Sequence, residues 1–235
     1  MTKDKELPYK KYAYITAEST DEINLSDLFI GCNAFTITFK NFDTSNVTDM
    51  NSMFLSCEKL EYLDLSIFDT SNVTDMAWMF DGCKSLKWMN IYFNTNKVTD
   101  MQYMFAKCFS VGSLHLTSFD TSNVTNMHGM FLCRQRLYSL DLSSFDFSKV
   151  TDAGSMFFEC EALGDLKFGK NLKVSLDLSY SPLVHNSALS VLNGLANVEK
   201  QQVIKFSQVT YETLTDEDKK IATDKNWKIE IRRMA

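Results

Sequence analysis

The sequence predicts an α/β repeat protein, a solenoid with a parallel sheet on one face and short helices on the other. Three observations predict it. A nine-residue segment recurs at nearly constant spacing. The apolar residues within each copy switch between two periodicities. The abundant residue types, 12 Met and 18 Phe among 235 residues, fall on the same period. Self-similarity at a fixed period is the mark of repeat architectures.

The segment Phe42-Asp43-Thr44-Ser45-Asn46-Val47-Thr48-Asp49-Met50 returns at 68–76, at 93–101 with an altered start, at 119–127 and at 145–153. Its valines, Val47, Val73, Val98, Val124 and Val150, step by 26, 25, 26 and 26 residues. A Met-Phe pair follows each copy, from Met53-Phe54 to Met156-Phe157. A cysteine follows each pair, at Cys57, Cys83, Cys108, Cys133 and Cys160. Leu28-Phe29 and Cys32 form a worn first copy, as terminal repeats often are. Six units thus fill 25–170, with an N-terminal cap at 1–24 and a C-terminal capping segment at 171–235.

Within a unit, Met50, Met53, Phe54 and Cys57 lie at i, i+3, i+4 and i+7, the spacing of one helix face. The Asp-Thr-Ser-Asn run before them suits a turn and an N-cap, with either Asn46 or Thr48 as the capping residue. After the cysteine, Leu63 and Leu65 alternate with Tyr62, Asp64 and Ser66, which is strand periodicity. A lone unit cannot bury its apolar face, but stacked units share one core.

Read from Leu63 to Cys83, the unit resembles the repeat of the BspA-like leucine-rich-repeat surface proteins of bacteria. The resemblance covers about 25–170. It implies a right-handed leucine-rich-repeat-like solenoid, a place at the cell surface or in the secreted fraction, and roles in adhesion rather than catalysis. Ser175-Leu176-Asp177-Leu178-Ser179, the run 189–195, Leu214-Thr215-Asp216-Glu217 and Asn226-Trp227 resemble the segment that closes such repeats in surface proteins and phage-tail-associated proteins. Residues 1–14 are Lys-rich with no apolar signal core after them, so a cytoplasmic or phage-particle location also fits.

The C-terminal segment reads as a small α/β cap. Asn186 or Ser187 caps a helix running to about Val198. A strand covers 203–207. Thr215-x-x-Asp218 is a capping box for a second helix, and Trp227, Ile229 and Ile231 alternate as a last strand.

Most candidate sites dissolve into the repeat. The cysteines recur once per unit and form an inward column of small hydrophobes, whose parallel side chains suit neither disulfides nor a metal cluster. Asp43, Asp69, Asp120 and Asp146 form one column, and Asp49, Asp75, Asp100 and Asp152 another. Both suit carboxylates that bond backbone N–H groups in turns. No catalytic constellation, phosphate loop, cofactor or metal is expected. A net charge of −6 argues against nucleic acid, and no apolar run reaches the ~20 residues of a membrane span. What varies is the outward set on the strands, where Tyr62, Asp64, Trp88, Asn90, Tyr92, His115 and Asp141 are the candidate binding residues. The expected function is a non-catalytic monomer whose exposed sheet face binds a protein or glycan ligand. The alternative is a structural or receptor-binding component of a phage tail or similar particle.

Overall fold

The computed structural model describes residues 11–13 and 23–232. Its strands are β1 (Lys11–Ala13), β2 (Ile23–Asn24), β3 (Thr36–Phe39), β4 (Val47–Asp49), β5 (Tyr62–Asp64), β6 (Trp88–Asn90), β7 (Ser139–Asp141), β8 (Asp165–Lys167) and β9 (Leu176–Leu178). Helix α1 (His185–Gly194), β10 (Gln202–Ser207), α2 (Gln208–Glu212), α3 (Asp216–Thr223) and β11 (Trp227–Arg232) follow. The protein is α/β, with several short parallel sheets, few helices and no closed barrel among the described residues. One sheet runs β1-β3-β5-β6, a second pairs β7 with β8, a third pairs β2 with β4, and a fourth runs β11-β10-β9. Most of the N-terminal cap expected over 1–24 lies outside the described residues.

Each strand sits one period from its neighbour, and registered partners share a face. Ile37, Leu63 and Met89 pair in sequence and are buried, whereas Tyr62 and Trp88 pair and are exposed. This is the period-two pattern expected from Leu63 and Leu65. One strand is missing. Residues 113–117 keep the inward Leu114 and Leu116 but form no ladder, so the sheet is interrupted between β6 and β7. Gly112 and Ser113, poor strand formers, open that stretch.

The short helices expected on the other face are not there. Among the described residues all helices lie in 185–223. The segment after each Asp is instead a chain of turns. The amides of Met50, Ser52, Phe54 and Ser56 donate to the carbonyls of Asp75, Ala77, Met79 and Asp81 at 2.7–3.0 Å. The intervening amides of Met53, Leu55 and Cys57 close local turns onto Met50, Ser52 and Phe54. The same four inter-repeat bonds recur at each junction, from Leu25→Asp49 to Cys133→Phe158. Two residues per repeat, four apart, take a left-handed φ to make this possible: Asp27 and Gly31, Ser52 and Ser56, Trp78 and Gly82, Tyr103 and Lys107, Gly129 and Cys133, Ser155 and Glu159. A left-handed residue cannot continue a right-handed helix. The spacing i, i+3, i+4, i+7 is still that of the buried side chains, so the periodicity located the core and mistook the backbone.

Columns of identical side chains fill the interior. Phe29, Phe54, Phe80, Phe105, Phe131 and Phe157 form an unbroken ring stack, with centroids 5.4–6.1 Å apart. The hydroxyls of Thr44, Thr70, Thr95 and Thr121 donate to the carbonyls of Asp69, Asn94, Asp120 and Asp146 in the next repeat. The thiols of Cys57, Cys83, Cys108 and Cys160 donate back to Phe29, Phe54, Phe80 and Phe131 carbonyls at 3.0–3.2 Å. None of the six cysteines is in a disulfide. Cys133 is not in this column. The chain Phe131-Leu132-Cys133-Arg134 brings its cysteine one residue early, and Cys133 is half-buried beside Glu159. Arg134 takes the column position between Cys108 and Cys160, fully buried, with one nitrogen bonded to the Val111 carbonyl. Its Nε and Nη1 have no partner.

The C-terminal segment covers the last strand edge. Ser187 and Ser190 on α1 accept hydrogen bonds from the Leu166 and Phe168 amides at 2.9 and 2.8 Å. These amides would otherwise be an unpaired sheet edge. α1 starts at His185, after Val184, with no side-chain cap, and ends at Gly194 rather than near Val198. The Thr215–Asp218 capping box is present in full. β9 and α2 were not foreseen.

Two outcomes follow from this packing. Replacing the half-orphaned cation by an apolar side chain of similar length, Arg134→Met, raises stability by about 1–4 kcal/mol, since a buried charge without a counter-charge costs more than a packed thioether. A lower denaturant midpoint in the variant would contradict this. The double variant Ser187→Ala/Ser190→Ala strands two buried donors and lowers stability by about 1–3 kcal/mol per donor. Hydrogen exchange at Leu166 and Phe168 should accelerate, and unchanged exchange there would count against the capping role.

Candidate ligand-binding face

The outward residues of β5 and β6 are placed by strand register. Tyr62 lies opposite Trp88, and Asp64 opposite Asn90, on parallel strands ~4.8 Å apart. The alternation that buries Leu63 and Met89 necessarily sends these four to solvent. Tyr62 is 51% exposed, Trp88 48% and Tyr92, just past β6, 71%. A shallow depression of about 190 Å³ lies on this face, lined by Thr36, Thr38, Tyr62, Asp64, Ser66 and Trp88 among others. The aspartate is held in place by its own turn. Its Oδ1 accepts the Ser66 amide at 3.0 Å, and that bond keeps the carboxyl below its ordinary value.

The structure does not gather all seven candidates. Tyr62, Asp64, Trp88, Asn90 and Tyr92 share the four-stranded sheet or its margin. His115 is exposed in the stretch where the ladder lapses. Asp141 lies on β7 in the second sheet and pairs with Lys167 across the β7–β8 register at 2.9 Å.

The aspartate columns serve the backbone. Asp43, Asp69, Asp120 and Asp146 each accept the amide two residues on, and Asp49, Asp75, Asp100 and Asp152 do the same. Where the columns change to Asn94 and Asn126, the amide oxygen fills the same role. Cys133 offers little as a nucleophile. Burial, reinforced by Glu159, pushes its thiol up to about 11.

A second aromatic group escaped the sequence reading. On the turn side Trp78 stacks on Tyr103 with centroids 4.0 Å apart, Tyr103 leans on His128, and His128 Nδ1 meets Asp152 at 3.2 Å. The Tyr103 ring lies over Gly129, where a Cβ would collide with it. These residues belong to adjacent positions of the turn row, and assigning that row as helix hid their alignment.

Acid pH reports on the face carboxylates. The Ser143 side chain first, and Lys167 second, hold the Asp141 carboxyl at about 2, below the ordinary 3.8. A value depressed by folding means that the ionised form favours the folded state. The contribution is complete above pH 3.8 and is lost as pH falls through about 2. An NMR titration of Asp141 should show a midpoint near 2, with a shallower acid loss of stability in Asp141→Asn. A midpoint at the ordinary value would refute the pairing.

Comparison with known proteins places the chain in a family. The family model described as Mycoplasma protein of unknown function, DUF285, matches residues 15–113 and again 90–177. No curated protein and no solved structure matches the chain. No helix among the described residues is long and apolar enough to cross a membrane. The two matches overlap within the repeats and together span more than half of the sequence, so the chain belongs to the DUF285 family of Mycoplasma repeat proteins.

Proposed function

We propose that the chain is a non-catalytic recognition module, built as a right-handed leucine-rich-repeat-like solenoid of the BspA-like type and acting at the cell surface. The ladders of identical side chains, one per repeat, support the solenoid reading. Its binding surface is the exposed face of the four-stranded sheet, and its ligand a protein or glycan. One observation carries the reading: Tyr62 and Trp88 stand in register on neighbouring strands, each about half exposed. Large aromatics beside polar groups are the residues that dominate recognition surfaces. Elsewhere in the repeat the conspicuous residues are consumed by packing or by backbone hydrogen bonds, which leaves this face as the variable part.

The test is a binding screen of the purified protein against extracellular-matrix proteins and glycans. The face variant Tyr62→Ala/Trp88→Ala should lose at least tenfold in affinity for any ligand found, with an unchanged melting temperature. Val209→Ala, an exposed position on α2 away from the sheet, should bind as the parent does. Equal binding by parent and face variant would overturn the assignment.

A further inference from the structure

This inference rests on the reading of the sheet face as the binding surface and names the class of ligand. We infer that the face around Tyr62 and Trp88 takes a neutral saccharide, whose ring stacks on the two aromatic side chains while Asp64 and Asn90 hold its hydroxyls.

Four observations point the same way. The first is size. About half of Tyr62 and Trp88 and nearly three quarters of Tyr92 are exposed. At ~150–250 Å² per aromatic side chain, that is roughly 350 Å² of aromatic surface. The depression of about 190 Å³ is of small-ligand scale. The second is the polar complement. Asp64 lines the depression together with the hydroxyls of Thr36, Thr38 and Ser66, and Asn90 is its registered partner on β6, beside Trp88. A carboxylate accepts and an amide both donates and accepts, which matches the hydroxyls of a sugar.

The third is charge. Among the described residues that line the depression, Asp64 is the only charged one. Lys87, next to Trp88, is tied to Glu61 at 2.8 Å. At the described lining residues, phosphates, sulfated or carboxylated sugars and nucleic acids would meet an acidic group and no cation. The fourth is shape. The two rings stand side by side on neighbouring strands at a shallow depression, so they offer a platform for a ring and not a cage for a quaternary ammonium. A trimethylammonium group would also leave the Thr, Ser and Asn groups without partners.

The experiment uses the whole chain and reads Trp88. Of the three tryptophans, Trp227 is buried and Trp78 is stacked on Tyr103, so a Trp78→Phe background leaves Trp88 as the exposed emitter. Hexasaccharides of glucose (α- and β-linked), mannose, galactose and N-acetylglucosamine are titrated to millimolar concentration, with tetramethylammonium and heparin as counter-probes. The expected result is saturable protection of Trp88 from acrylamide quenching by at least one neutral hexasaccharide. Asp64→Asn and Asn90→Ala should then weaken it at least tenfold with melting temperature unchanged. A response to tetramethylammonium or heparin alone overturns the inference. So does silence to every saccharide. If a protein ligand then binds in a Trp88-dependent manner, the recognition reading survives and only the saccharide fails. If nothing depends on Trp88, both fail.

Discussion

The structure depends on a one-way hydrogen-bond ladder. On the side opposite the sheet, alternate amides of each repeat donate to the next repeat. Only the first is answered, where the amides of Thr74, Thr99, Thr125 and Thr151 donate back across parallel bridges such as Asp49–Asp75. From Ser52, Phe54 and Ser56 onward the bonds run one way. An ordinary parallel strand pair exchanges bonds in both directions. The one-way arrangement needs residues of opposite backbone handedness in the same turn chain, which is why each repeat carries two left-handed positions four apart. Each non-glycine residue held there costs of order 1 kcal/mol, offset by a buried amide that finds a carbonyl. The ladder also fixes the vertical alignment of repeats. Because Phe54 donates to Met79 and Phe80 to Met104, successive phenylalanines sit one above another and stack. The thiol, threonine and aspartate columns follow from the same register.

That register explains how little of the sequence is free to serve function. A residue facing the core must repeat, and one in the polar turns must bond the backbone. The outward strand positions carry neither duty in every repeat: Asp64 and Asp141 bond the amide two residues on, but the same position is Thr38, Asn90 and His115 elsewhere. Arg134 is the exception inside. One displaced cysteine puts a guanidinium where five other repeats put a thiol, and nothing in the structure explains its retention. Stacking also creates ends. At the C-terminal end the strand edge is met by two serine hydroxyls of α1, so closure relies on side chains rather than a further strand.

Much of this was legible in the sequence, for a physical reason. Burial demands the same residue at the same place in each repeat, so the period, the inward set and the Asx turns could be read from recurrence alone. The capping box at Thr215 was legible because cap chemistry is local. The backbone of the turn row was not. Helix and turn chain bury the same i, i+3, i+4, i+7 set, and only the left-handed positions separate them. The signal was present in Gly31 and Gly82, at the second left-handed position of their repeats, and in Gly129, at the first. The other repeats mask it with Ser, Lys, Cys and Glu. The gap between β6 and β7 was hidden too, since Leu114 and Leu116 keep the alternation while the ladder fails. For the face, register could be read from the period, and so the Tyr62–Trp88 and Asp64–Asn90 pairs were foreseen. The separation of His115 and Asp141 from them was not.

The most direct test of the ladder is the measurement of scalar couplings across hydrogen bonds by NMR. The account predicts a coupling from the Phe54 amide nitrogen to the Met79 carbonyl carbon, and likewise from Ser52 to Ala77, from Phe80 to Met104 and from Phe105 to Met130. Couplings from Phe54 to Met50 and from Phe80 to Met76, the pattern of a helix, would contradict it.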